Sequence, residues 1–254
     1  MLIAINTPLK NSSNIMAEDN NNISWNKVLQ SIFAMPGVAV DRGDFLRRQL
    51  KNKPEKIVSS VIDDGVPVRK MLGDKETKHL ANSVINKHTT IATSVSTLSG
   101  IPGGLAMAAA IPADIFQYYY NVFVVVQKLA YLYGYPDLRD DSGQLSETAA
   151  NVLTLFVGAM SGVDVANQAV KVMSQSFAKK VAKQLPKYAL TKTLPYQVAK
   201  KVAAELGIRL SKTTFSKGIS KAIPVLGGLI SGAITLFTFR PGAMKLLKAL
   251  LGDK

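Results

Sequence analysis

A chain of 254 residues without a single cysteine is long enough to bury a sizeable core, and it excludes a disulfide scaffold or a thiolate metal site. Only 19% of residues are charged and the mean hydropathy is +0.14, yet the net charge is +14, which points to an anionic partner. The first residues, MLIAINTPLKNSSN, have no basic n-region and too short an apolar run for a secretory signal, so the expected location is the cytoplasm.

Residues 1–22 are rich in Asn and Ser without periodicity and read as a disordered tail, leaving 23–254 as one all-α domain. Ser24 is placed to cap a short helix carrying Trp25, Val28, Leu29, Ile32 and Phe33, which Pro36 and Gly37 break. Asp44 is the expected cap of the next helix, with Phe45, Leu46 and Leu50 beside Arg47, Arg48 and Lys51. Arg42-Gly43-Asp44 spells an integrin-ligand string, but capping is the simpler account of Asp44.

Residues 89–113 carry no charge and are interrupted by Pro102-Gly103-Gly104 and by Pro112. From Asp114 a helix is predicted to about Tyr133, because Ile115, Tyr119, Val122, Val126, Leu129 and Tyr133 step by three or four. Its other faces are also apolar (Phe116, Phe123, Val124), so it should be buried on most sides and end at Gly134 and Pro136. Along it Asp114, Gln117, Asn121 and Lys128 form a polar line. Two explanations stand: Asp114 serves the helix start while the amides bond neighbouring helices, or the line is a polar groove for a lipid head group or small ligand.

Asp140, Asp141 and Ser142 announce a further helix, apolar at Leu145, Ala149, Val152, Phe156 and Val163. Between Val165 and Lys221 twelve Lys or Arg face one acid, Glu205, so this stretch holds +11 of the net +14. Its cations include Lys171, Lys179, Lys180, Lys183, Lys187, Lys200, Lys201, Arg209 and Lys212. They interleave with Ala166, Val170, Met173, Phe177 and Val181, then with Val198, Val202, Leu206 and Leu210, as two basic amphipathic helices would. This basic face is either an ordinary solvated surface or a contact for anionic lipid; nucleic acid is the weaker partner because no groove-reading motif occurs.

Residues 222–239 form a second uncharged run, and a basic amphipathic helix over Leu246 to Leu251 closes the chain. Eighteen helical residues reach roughly 27 Å, just short of a hydrocarbon core of about 30 Å. Three G-x-x-x-G spacings, Gly100 with Gly104, Gly158 with Gly162 and Gly228 with Gly232, offer grooves for close helix approach, in a soluble core or in a membrane. No segment alternates convincingly with period two. The expected fold is therefore an all-α helical bundle with Gly-rich apolar helices or hairpins, open to membrane insertion.

The inventory for catalysis is thin. His79 and His88 lack an acidic or cysteine cluster at ligand spacing and are expected on the surface. No phosphate-binding loop, nucleophile elbow or H-E-x-x-H occurs, and Asp137, Asp140 and Asp141 lack a calcium-loop pattern, so helix capping is their expected role. Neither a cofactor, a metal nor a catalytic residue is expected.

The segment from Pro36 to Arg48 (PGVAVDRGDFLRR), Ile101-Pro102-Gly103-Gly104 with Ile111-Pro112-Ala113-Asp114, Gln127 followed by Leu129 to Tyr135 (LAYLYGY), and Ala222 to Gly228 (AIPVLGG) together resemble the bacterial EcsC family. A similar P-x-D, Q, L-A-x-x-Y-G pattern occurs in the YcjF-like membrane-associated domains, which are sometimes linked to GTPases; no GTPase motif is present in this chain. The resemblance covers about residues 35–250 and implies a helical, often membrane-associated bacterial protein with no established enzymatic activity. Residues and resemblance together lead to the expectation of a non-catalytic protein at the inner face of the cell membrane. There it would contact anionic lipid, as an accessory to a membrane complex or as a membrane-perturbing effector in conflict or defence. The alternative is a soluble module whose cations meet an acidic protein partner, nucleic acid or a second copy of the chain.

Overall fold

The computed structural model describes residues 29–30, 32–95, 113–179, 195, 197–198, 201 and 224–252; for 94–95, 113–117, 147, 177–179 and 224–237 it describes the backbone alone. Within them every regular element is a helix: α1 (Arg42–Gln49), α2 (Glu55–Ile62), α3 (Val68–Val95), α4 (Ala113–Leu132), α5 (Glu147–Ser161), α6 (Asp164–Lys179) and α7 (Pro224–Leu251). The only extended pairing among the described residues is an isolated bridge between Arg139 and Leu145.

Helix α4 is the axis of the core. From Asn121 to Leu132 every side chain but Lys128 is buried, as its all-round apolar sequence predicts. Helix α3 packs along α4 and α7, while α5, α6 and α7 pack against one another. Gly134, in the left-handed region at φ 88°, ends α4: its N–H donates to the Tyr131 carbonyl and that of Tyr135 to the Ala130 carbonyl, the paired bonds of a Schellman motif. The Tyr135 ring then meets Phe156 edge-on at 5.1 Å, and its hydroxyl lies 3.1 Å from Ser174 Oγ, tying the end of α4 to α5 and α6.

Four helix boundaries differ from those read in the sequence. Asp41, not Asp44, caps α1: its carboxylate accepts from the Asp44 N–H at 2.7 Å. Asp140 caps nothing either; it folds a tight loop by accepting from the backbone N–H groups of Ser142 and Gln144, and Ser146 caps α5. Val163, expected within that helix, lies outside α5 because Gly162, at φ 86°, ends it and the chain restarts as α6. The run 222–239 and the closing amphipathic helix are one continuous α7 in spite of Pro241, whose side chain faces outward.

The glycines divide by role. Gly162 is a helix cap rather than half of a groove, and a Cβ there would meet Lys245 Nζ at 2.8 Å. Gly158 does serve close packing: a Cβ would run into the Val198 side chain and sit 3.0 Å from Ala166 Cβ. Gly242, which the sequence did not single out, marks a close approach of α7 to α5, where a Cβ would sit 2.7 Å from the Met160 carbonyl oxygen. Gly228 and Gly232 lie on the α7 backbone, but their surroundings, like Gly100 and Gly104 altogether, fall outside the described residues.

One polar cluster fixes how the N-terminal segment docks on α4. The buried Gln127 amide accepts from the Val40 N–H at 3.0 Å and donates to the Val38 carbonyl at 2.8 Å, so it holds the backbone on both sides of Ala39. Tyr131 Oη donates to the Val40 carbonyl at 3.3 Å. The Arg42 guanidinium donates to the carbonyls of Tyr135, Ile62 and Val61, joining α4 to the end of α2. Arg139 bridges Asp137 and Asp41 at 2.8 and 2.6 Å, and Asp137 also accepts from the Arg42 N–H; Asp137 therefore closes a network instead of capping a helix.

Two substitutions test this packing. Gln127→Leu leaves the Val40 N–H and Val38 carbonyl buried without partners, at about 1–3 kcal/mol each, so chemical denaturation should show a loss of about 2–5 kcal/mol. Gly242→Ala should cost about 1–2 kcal/mol net, because overpacking against a carbonyl outweighs the helix-propensity gain of roughly 1 kcal/mol. A denaturation midpoint at or above wild type in Gly242→Ala would show that α5 and α7 can part there without cost.

Candidate functional site

The polar line on α4 survives in part. Asn121 is buried and Lys128 half-buried, whereas the side chains of Asp114 and Gln117 lie outside the described residues. What joins Asn121 and Lys128 is His88 of α3. Lys128 Nζ lies 2.8 Å from His88 Nε2, and the Asn121 side chain also acts on the ring. Residues 121 and 128 are two helical turns apart, and a long side chain on a helix leans toward the N-terminus, so Lys128 reaches back along α4.

His88 corrects the expectation of a surface histidine: it is only 5% exposed. The signal was present, because Ala81, Val84, Ile85 and Ala92 are the apolar stripe of α3 and position 88 falls within it. His79, on the other side of that helix, is exposed as expected. Burial, and after it the Lys128 charge, lower the His88 pKa from 6.5 to about 4, while Asn121 works in the opposite direction. The ring is therefore neutral at physiological pH. With Nε2 accepting from the Lys128 ammonium, the ring proton sits on Nδ1, which is buried and has no hydrogen-bond partner among the described residues.

Lys128 is equally unusual. Burial, then Lys87 of α3 and Arg48 of α1, lower its pKa from 10.5 to about 8. Its ammonium stands 5.9 Å from the centre of the Phe45 ring, and no carboxylate forms an ion pair with it among the described residues. Lys87 and Arg48 are both exposed. Reading the sequence alone placed neither of them beside Lys128, since they come from different helices.

The basic segment is described only at its beginning and at isolated points. In α6, Ala166, Val170 and Met173 are buried at the spacing read from the sequence, Lys171 is half-buried, and Val172 is 62% exposed. Lys201 is exposed; the side chain of Lys179, and Lys180, Lys183, Lys187, Lys200, Arg209 and Lys212 entirely, lie outside the described residues. Among the described residues no helix is long and apolar enough to cross a membrane, and no group of three His, Asp or Glu side chains could hold a metal ion. Most side chains of the 222–239 run fall outside that description.

No family model, no curated protein and no solved structure matches this chain.

The buried histidine makes stability depend on pH in a defined window. Its folded pKa, about 4, lies below the unfolded value of 6.5, so between these limits unfolding takes up a proton and stability falls as pH drops. The loss attributable to His88 should approach about 3 kcal/mol at pH 4. Melting curves from pH 7 to 4 should show a shallower decline for His88→Gln than for wild type; parallel declines would mean that the ring ionises freely in the folded protein.

Proposed function

We propose that the protein associates peripherally with an anionic membrane surface through its basic segment and acts there as a binding rather than a catalytic protein. The observation that carries this reading is the segregation of charge: +11 of +14 lies between Val165 and Lys221, in a sequence whose cations alternate with apolar residues at helical spacing. Helix α6 supports it where the segment enters the described structure. Its buried stripe docks on the core, leaving Val172 outward beside Lys171. A strongly cationic segment with exposed apolar groups suits the interface of an acidic bilayer, where each Lys or Arg near the surface contributes about 1 kcal/mol.

The resemblance of the Pro36–Arg48, Gln127–Tyr135 and Ala222–Gly228 motifs to the EcsC family agrees with a membrane-associated role on the cytoplasmic side. Insertion of the uncharged runs is a finer step of the same proposal: peripheral binding by charge would come first and bring the Gly-rich segments to the bilayer.

Vesicle flotation tests the reading. Binding should require anionic lipid and weaken sharply between 0.1 and 1 M salt, as the Debye length shrinks from about 10 Å to about 3 Å. Changing Lys179, Lys180, Lys183 and Lys187 together to Gln should reduce flotation several-fold without lowering the melting temperature. Equal flotation with neutral vesicles, or none with either, would overturn the proposal.

A further inference from the structure

We infer that Lys128 is a site of covalent modification, where its amine takes a small acyl group from an activated donor of the acyl phosphate class. The site is separate from the 165–221 segment and does not depend on membrane binding. Two titratable side chains from neighbouring helices meet there: Lys128 Nζ of α4 lies 2.8 Å from His88 Nε2 of α3. At that distance one nitrogen must present a lone pair to an N–H of the other, so the two facing nitrogens cannot both be fully protonated. Lys128 is half-buried, and no carboxylate forms an ion pair with it among the described residues. The Phe45 ring supports the ammonium only weakly, because its centre is 5.9 Å away, near the outer limit of about 6 Å for such contacts.

These surroundings favour the free amine. A half-buried ammonium that faces a neutral nitrogen loses hydration without gaining an opposite charge. Burial accordingly lowers the Lys128 pKa to about 8, with Lys87 of α3 and Arg48 of α1 acting in the same direction. A lysine activated in this way is nucleophilic near neutral pH, and a base within hydrogen-bond reach is the usual companion of such a nucleophile. The reaction balances without a further reactant. The unprotonated Lys128 nitrogen attacks the carbonyl carbon of the acyl phosphate and the C–N bond forms. The bond from that carbon to the phosphate oxygen breaks, and its electron pair leaves with the phosphate. One amine proton ends on the departing phosphate, and His88 Nε2 stands within reach to hold it on the way. The amide product keeps one N–H, enough to go on donating to Nε2, and it carries no charge. Acylation therefore removes an uncompensated half-buried charge, a gain that a lysine in water does not offer. Half-burial of the side chain restricts the donor to a small acyl group such as acetyl.

Treating the full-length wild-type chain with acetyl phosphate and mapping each lysine by peptide mass spectrometry over time tests the site, with no vesicles present. At pH 7.5 Lys128 should be acetylated roughly tenfold faster than the exposed Lys51, Lys75 and Lys78, because a larger free-amine fraction outweighs its lower basicity and partial burial. A rate at Lys128 equal to or below theirs would overturn the inference. The rate at Lys128 should also level off near pH 8, where an ordinary lysine amine, with a pKa of about 10.4, is still gaining free base. A rate that keeps rising about tenfold per pH unit through pH 9 would overturn it as well. His88→Glu gives the ammonium a carboxylate in place of a neutral acceptor, so acetylation of Lys128 should fall to the rate of the exposed lysines or below. Undiminished acetylation in a variant that still melts cooperatively would show that the His88 contact does not activate the amine. Where that variant does not fold, the wild-type pH profile decides.

Discussion

The docking of the N-terminal segment depends on one buried side-chain amide. Gln127 lies on a helix that is otherwise apolar all round, and it is fully buried. An amide in that position carries a large desolvation cost unless donor and acceptor are both satisfied. The Val38–Val40 segment satisfies both, through the Val38 carbonyl and the Val40 N–H. The segment is thereby fixed in register on α4, and Asp41 and Arg42 follow at once. Asp41 starts α1, and Arg42 turns inward to collect carbonyls from α2 and the end of α4. Arg42 is held without a direct carboxylate partner on its guanidinium; burial lowers its pKa, with the nearby Asp137 acting against that effect.

This cluster joins two segments of the chain. The segment Pro36–Arg48 and the segment Gln127–Tyr135 are distant in sequence and meet here residue by residue: Gln127 with Val38 and Val40, Tyr131 with Val40, and Tyr135 with Arg42. Gly134 takes part through its positive φ and through Pro67, which lies so close that a Cβ would sit 2.7 Å from its Cγ. The residues concerned serve the docking of the 36–48 segment on the end of α4.

How far the sequence reveals this follows from the range of each interaction. Local periodicity marked α4 to within a residue of its observed ends and picked out the buried positions of α6, because burial of a stripe is set by steps of three and four along one helix. Helix starts were misplaced wherever several capping residues stand close together. Asp41 and Asp44 compete within one turn, and Asp140, Ser142 and Ser146 within two, and the backbone geometry that decides among them is tertiary. Of the G-x-x-x-G at Gly158, the first glycine serves close packing, while the second ends the helix at φ 86°, a property spacing does not encode. Of the polar line, Asn121 and Lys128 were visible on one face, but their partner His88 lies some forty residues earlier on another helix. Its place in the apolar stripe of α3 was readable; its distance to Lys128 was not.

The two kinds of positive charge in this protein differ in how the fold treats them. Along 165–221 the cations are dense in sequence, so their attraction to an acidic surface is long-range, collective and sensitive to salt. At Lys128 a single ammonium is held in place by the packing of three helices, where screening by salt is weaker and each hydrogen bond is correspondingly stronger. A folded protein normally avoids the second arrangement, because an uncompensated half-buried charge lowers stability, and the lowered pKa of Lys128 records that cost.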